Sequence, residues 1–228
     1  MPWTRSEISQ LHEFARLESQ LDALERDIQQ ARTTARKAEA TSLDFHAAAA
    51  APRARLAGEH VRLDDRTEVL IRSIEPGDAA QVELEFEHLG ALTRARGLLP
   101  TVAHLSNAQL QRLTDVDHAT HEALVALETT RGDGVGLARY VLVPGERERA
   151  MFTVVVADAW QGRGAGTALG DRLAARAHTA GVRRLTARTI VGGVAARRLA
   201  AHMGRIVGDS SDDGVEELTV DLITPSGG

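Results

Sequence analysis

The sequence predicts a mixed α/β domain of the α+β kind, preceded by an N-terminal helical extension. Three observations predict it. From about residue 67 onward, apolar β-branched runs alternate with segments of helical period. A glycine-rich turn, Gln161-Gly162-Arg163-Gly164-Ala165-Gly166, joins the apolar run Val154-Val155-Val156 to a segment where Ala165, Leu169, Leu173 and Ala177 recur every fourth residue. The first 40 residues carry an apolar repeat of their own.

That repeat comes first along the chain. Thr4 and Glu7 have the spacing of a capping box, with Trp3 and Ile8 placed as its hydrophobic staple. Phe14, Leu17, Leu21, Leu24, Ile28, Ala31, Ala35 and Ala38 follow on alternating three- and four-residue steps. This is the seam pattern of a coiled coil, so residues 1–45 are expected to form a helix that joins two chains through residues 8–38. A lone amphipathic helix lying on the domain is the other reading. Residues 46–66, with the alanine run Ala47 to Ala51, Pro52 and a charged stretch, read as a connector.

The folded domain is expected over residues 67–228. Val69 to Ile74 reads as a strand, and Pro76-Gly77-Asp78 opens a helix with Ala79, Val82, Phe86 and Leu89 on one face. Ser106 and Gln109 form a second capping box, stapled by Leu105 and Leu110. Ala123 to Leu127 and Val135 to Val143 are strands joined by the turn Arg131 to Gly134, and Met151 to Ala157 is the next strand. After the glycine-loop helix, Gly181 is placed to end it. Leu185 to Ile190 is a strand, Val194 to Met203 a helix stopped by Gly204, and Ile206 to Gly208 with Val215 to Ile223 a closing hairpin. The order is β-α-α-β-β-β-α-β-α-β-β.

Composition narrows the function. A formal net charge of −5 and a pI near 6.0 speak against a nucleic-acid partner held by bulk electrostatics. No run of about 18 apolar residues predicts a membrane span, and the charged start MPWTRSEISQ is unlike a signal peptide. A cytoplasmic protein is the expectation. The absence of cysteine excludes disulfides, thiolate metal sites and a cysteine nucleophile. Asp117, His118 and His121 could be read as metal ligands, but no further ligand cluster accompanies them, and no metal is expected.

Glycines at a helix start leave backbone N–H groups uncovered at the positive end of the helix dipole, which suits a phosphate or pyrophosphate. A dinucleotide fingerprint needs Gly-x-Gly-x-x-Gly near the start of a long alternating domain, whereas this turn reads Gly-x-Gly-x-Gly near the chain's end. A Walker A loop needs Gly-Lys-Ser/Thr, and the only lysine is Lys37. A tight turn that uses glycine merely for its backbone freedom is the plain alternative. The spacing Gln161-x-x-Gly164-x-Gly166 after a strand resembles the acyl-CoA loop of the GNAT superfamily of N-acetyltransferases, and the element order resembles the GNAT fold over residues 67–223. Within the superfamily the stretches LIRSIEPGDA, LTDVDHATHEALVAL and GLARYVL, leading into FTVVVADAWQGRGAGTALGDRL, look most like bacterial protein-lysine acetyltransferase domains.

The resemblance implies a mixed sheet splayed at an acyl-CoA site, acetyl-CoA as co-substrate, and an amine acceptor such as a protein lysine. It implies that backbone groups of Val154, Val155 and Val156 pair with the pantetheine amides. The pyrophosphate would then meet N–H groups of Arg163, Gly164, Ala165, Gly166 and Thr167 beyond Gly162, with side-chain donors from Gln161 and Arg163. The catalytic half departs from the pattern. Met151 stands where lysine-acetylating relatives carry a general-base glutamate, Ala200 where a tyrosine acid is usual, Gly193 where an asparagine opens the helix, and Gly204-Arg205 where Gly-Phe follows it. Glu148 (with Glu146), Tyr140 and Thr153 are the substitute candidates, although the glutamates read first as a solvated turn, Tyr140 as a packed strand residue and Thr153 as a poor base. An acetyltransferase is the expected function; the alternative is a catalytically weak or inactive acyl-CoA-binding regulatory protein dimerised by its N-terminal helix.

Overall fold

The structure, a computed structural model, describes residues 58–90, 93, 104–190, 193–212 and 215–222. The expected helix of residues 1–45, its dimer, and residues 46–57 of the connector lie outside the described residues. Eight strands form one mixed sheet: β1 (Glu59–Arg62), β2 (Glu68–Ser73), β3 (His121–Glu128), β4 (Gly134–Leu142), β5 (Arg149–Val156), β6 (Arg184–Ile190), β7 (Arg205–Asp212) and β8 (Val215–Asp221). Their order is β1-β2-β3-β4-β5-β6-β8-β7. Every neighbouring pair is antiparallel except β5 with β6.

Strand β1 corrects the sequence reading. Residues 59–66, assigned to the connector by their charge, form a strand paired with β2 over Glu59↔Ile71 to Arg62↔Glu68, followed by a tight turn. Charge hid it because β1 is a short edge strand with little to bury, and edge strands tolerate a polar sequence.

Helices α1 (Ala79–His88) and α2 (Asn107–Thr114) cover one face; α3 (Ala165–Thr179) and α4 (Val194–Met203) cover the other. The Ser106 capping box forms as expected: Ser106 Oγ accepts from Gln109 N, and Gln109 Oε1 accepts from Ser106 N. In α3 the four-residue stripe is the buried one, with Ala165, Leu169, Leu173 and Ala177 all nearly inaccessible. Burying Leu169 and Leu173 fully contributes about 1.5–3 kcal/mol each relative to exposure, which fixes this helix on β3, β4 and β5. Ala180 caps its end, and Gly181 follows in the left-handed region at φ 90°. No helix among the described residues is long and apolar enough to cross a membrane.

Side-chain alternation divides β5 cleanly. Ala150, Phe152, Val154 and Val156 pack toward α3, while Met151, Thr153 and Val155 turn to the α1/α2 face. The parallel pairing of β5 with β6 covers only Arg149↔Arg184, Ala150↔Leu185 and Met151↔Thr186. Beyond Met151, β5 stays with β4 as far as Val156, and β6 stays with β8 as far as Ile190. The two strands therefore part for the last five residues of β5, a length of about 16 Å at the usual strand rise.

Candidate acyl-carrier and acetyl-transfer site

The parted edge presents defined backbone groups. Ala157 N donates to Val135 O at 3.0 Å, and hydrogen-bonded pairs alternate along an antiparallel ladder. With this register, Thr153 and Val155 spend their N–H and C=O groups on β4, whereas Phe152, Val154 and Val156 turn theirs toward the opening. Val155 is thus a core side chain over β4, with its polar groups directed away from the gap. The expectation keeps its geometry for Val154 and for the N–H of Val156, whose C=O is taken by Gln161 Nε2; that for Val155 does not.

The closed end of the opening is pinned by Glu148 O, which accepts from Arg183 N at 2.8 Å and Arg184 N at 2.9 Å. Glu148 is exposed and lines a polar hollow with Glu146, Arg147, Arg149, Arg183, Arg184 and Asp221. It stands on the paired side of the vertex, five positions from Thr153, about 16 Å along an extended strand. As a substitute base it is misplaced. Tyr140 is 1% exposed and packs in the core beneath α3, on the face opposite Thr153, so it does not line an acceptor site. Thr153 remains, half-buried on the α1/α2 face. The same alternation puts Arg188 and Glu217 on that face across the gap, joined at 3.1 Å. Sequence reading missed Glu217, because only the register of β6 with β8 brings it there.

At the open end, β5 runs through a 3-10 turn, Asp158–Trp160, into the glycine loop. Gly162 and Gly164 adopt φ of 72° and 88°, a region that favours glycine. Gly164 is the N-cap of α3 and supplies no side-chain acceptor, so the first-turn N–H groups at Ala165, Gly166 and Thr167 lack a side-chain cap. The two expected side-chain donors are engaged elsewhere. Gln161 Nε2 donates to Val156 O at 3.1 Å, Asp158 Oδ1 at 3.1 Å and Thr93 Oγ1 at 3.0 Å. Arg163 stacks 5.0 Å from the Trp160 ring centroid and donates to Asp65 Oδ2 at 3.2 Å.

Asp158 is the joint of this corner, and no local pattern announced it. Its carboxylate accepts from the Thr93 hydroxyl and from Gly90 N at 2.6 Å, tying the chain beyond α1 to the glycine loop. The Thr93 hydroxyl and the Gly90 N–H hold its pKa below the ordinary aspartate value.

Asp117, His118 and His121 are engaged with different partners. Asp117 Oδ1 caps a turn by accepting from Ala119 N, Thr120 N and His121 N. His118 Nδ1 lies 3.1 Å from Glu122 Oε1, while His121 turns to the opposite face of the sheet. Glu122, 1% exposed, also accepts from Ser73 Oγ at 3.2 Å and pairs with Arg176 of α3 at 3.5 Å. Burial pushes its pKa up, but His118, Arg176 and Ser73 outweigh burial and hold it below the ordinary glutamate value. Ala200, where relatives carry an acid, is fully buried against α3.

A mixed sheet that parts beside a glycine-started helix is an arrangement with room for an extended ligand ending in a phosphate. The sequence profile of the Acetyltransferase (GNAT) family matches residues 96–204, the stretch from α2 to the end of α4. Acetyltransferase Pat of Mycolicibacterium smegmatis is 29% identical over 139 residues, which spans 60% of this chain and only 40% of that protein. The GNAT domain of S. lividans PAT superposes with a TM-score of 0.64 at 25% identity, covering 72% of this chain and 97% of that one. A Salmonella typhimurium protein solved with its cofactor acetyl-CoA shares the fold at 20% identity and a TM-score of 0.55, over 70% of this chain and 96% of its own.

Proposed function

We propose that the domain moves an acetyl group from acetyl-CoA to a primary amine, with protein lysine as the first acceptor to test. One observation carries this reading: the sheet opens along β5 directly up to the uncapped start of α3. An extended ligand ending in a pyrophosphate finds amide partners along that edge and N–H donors at its end. Val154 and Val156 would meet the pantetheine, and the N–H groups of residues 163–167 the pyrophosphate. Acetyl-CoA supplies an activated thioester: the amine nitrogen bonds to its carbonyl carbon, the C–S bond breaks, and one proton passes in net from nitrogen to the departing thiolate. The chain's contribution is to hold the ligand edge-on and to present the α1/α2 face, with Thr153 and Met151, to the acceptor.

Met151 sits at the vertex and brings no proton acceptor. A lysine amine with a pKa near 10.4 is neutral in only about one molecule in 2,500 at pH 7. The rate is therefore expected to climb nearly tenfold per pH unit until the free amine saturates. Met151→Glu is expected to flatten that slope and raise the neutral-pH rate about 10²-fold, the low end for a positioned base. Thiol release against pH, with CoA affinity matched, checks this. Brisk native turnover already flat from pH 7 to 9 would show that another group is the base.

The side chains at Met151 and Ala200 favour a second reading, an acyl-CoA-binding regulatory protein without turnover. Thiol release from acetyl-CoA with a panel of amines and lysine peptides, beside calorimetric CoA binding, separates the two. Binding without release selects the second, and release with an amine selects the first.

A further inference from the structure

The turn between β1 and β2 leans on the glycine loop. Asp64 N donates to Arg163 O at 3.0 Å, and Asp65 holds the Arg163 guanidinium. The hydrogen bonds from the Thr67 backbone and hydroxyl, then the Arg163 charge, keep Asp65 below the ordinary aspartate pKa and therefore anionic. The Asp64 carboxylate rests against Gly164 itself: a Cβ built there would lie 2.8 Å from Oδ2 and 3.0 Å from Oδ1. Asp64 is exposed and stands at the positive end of a 15-residue helix, where a carboxylate is locally favourable.

We propose that Asp64 is a negative determinant of nucleotide-end recognition: it occupies the mouth of the pyrophosphate loop and weakens binding of the phosphate-bearing end of CoA. The inference rests on reading the loop as the pyrophosphate site. A carboxylate beside Gly164 and a diphosphate arriving at the neighbouring first-turn N–H groups repel each other, so part of the loop's attraction is cancelled before the ligand settles. The pantetheine edge along Val154 and Val156 is untouched. The consequence is a site that fills and empties readily rather than one that stays saturated.

The test is calorimetric titration of the full chain with CoA, native and as Asp64→Asn and Asp64→Ala, with Glu68→Gln as a control. Glu68 lies on the same hairpin with its side chain half-exposed in a surface pair with Arg62. Both Asp64 variants are expected to bind CoA about two- to fivefold more tightly at low salt, the scale of an exposed charge interaction. The gain should shrink toward unity at about 1 M salt, where the Debye length falls to about 3 Å. Glu68→Gln should leave the affinity unchanged. Native binding with unaltered affinity in both Asp64 variants overturns the proposal while leaving the loop assignment standing. A gain equal to that of Glu68→Gln reduces it to net charge and also overturns it. If no form binds CoA, the loop assignment fails and the proposal falls with it.

Discussion

Gly166→Val is expected to abolish CoA binding in a protein that still folds. Gly166 lies in the first turn of α3, its φ is not in the left-handed region, and an added Cβ would meet only Val156 Cγ2 at an ordinary 3.5 Å. The valine methyl groups would stand over the first-turn N–H groups and keep a pyrophosphate from close approach. Losing two hydrogen bonds to a charged group, at about 1.5–3 kcal/mol each, corresponds to a hundredfold or more in affinity. Gly164 is the less clean choice. Its φ of 88° strains any side chain, and a Cβ there strikes the Asp64 carboxylate, so lost binding in Gly164→Val would mix a damaged loop with a blocked one. Calorimetry and a melting curve on Gly166→Val settle the matter. Native CoA affinity in a folded variant removes the pyrophosphate assignment.

Glu122→Ala is expected to destabilise the domain by about 1–3 kcal/mol, because it removes the buried acceptor of Ser73, His118 and the partly exposed Arg176. For a chain of this size the melting temperature should fall by several degrees. Glu122→Gln, which keeps shape and hydrogen-bonding capacity, should cost less. The same group predicts a pH response. Its folded pKa lies below the unfolded value of 4.5, so its contribution is present above pH 4.5 and is lost as pH falls through the folded value. Denaturant titrations at neutral pH and in acid should show native stability dropping below pH 4.5, and a shallower drop in Glu122→Gln. Equal acid sensitivity in both would assign the effect to other carboxylates.

What the sequence displayed and what it withheld divide along physical lines. The apolar stripe of α3, the Ser106 capping box, the strand patterns and the glycine turn each lie within a window of a few residues, where periodicity and backbone preference write the answer directly. Strand β1 was hidden because an edge strand needs no apolar face. The contacts of Gln161, Arg163 and Asp158 were hidden because their partners, Thr93, Asp65 and Gly90, are distant in the chain and meet them only once the sheet has formed. Strand parity had a similar effect on Val155 and Tyr140. Their residue types suited the site, but the direction each faces is set by register with β4, which no single strand reveals. For Glu148 the solvated-turn reading holds, because β5 and β6 stay paired at its end and part at the other.

That parting makes the sheet a book with its spine at Met151 and Thr186. One leaf carries β1 to β5, the other β6, β8 and β7, and the strand register between them covers three residue pairs. A ligand whose amides bridge the page edges would act as the missing rung of the ladder, so occupancy should make the domain mechanically whole as well as chemically charged. Saturation at a hundred times Kd adds about 2.7 kcal/mol to stability by mass action alone. Amide exchange should slow most at Val154 and Val156, whose N–H groups face the gap, and little at Val155, which β4 already shields.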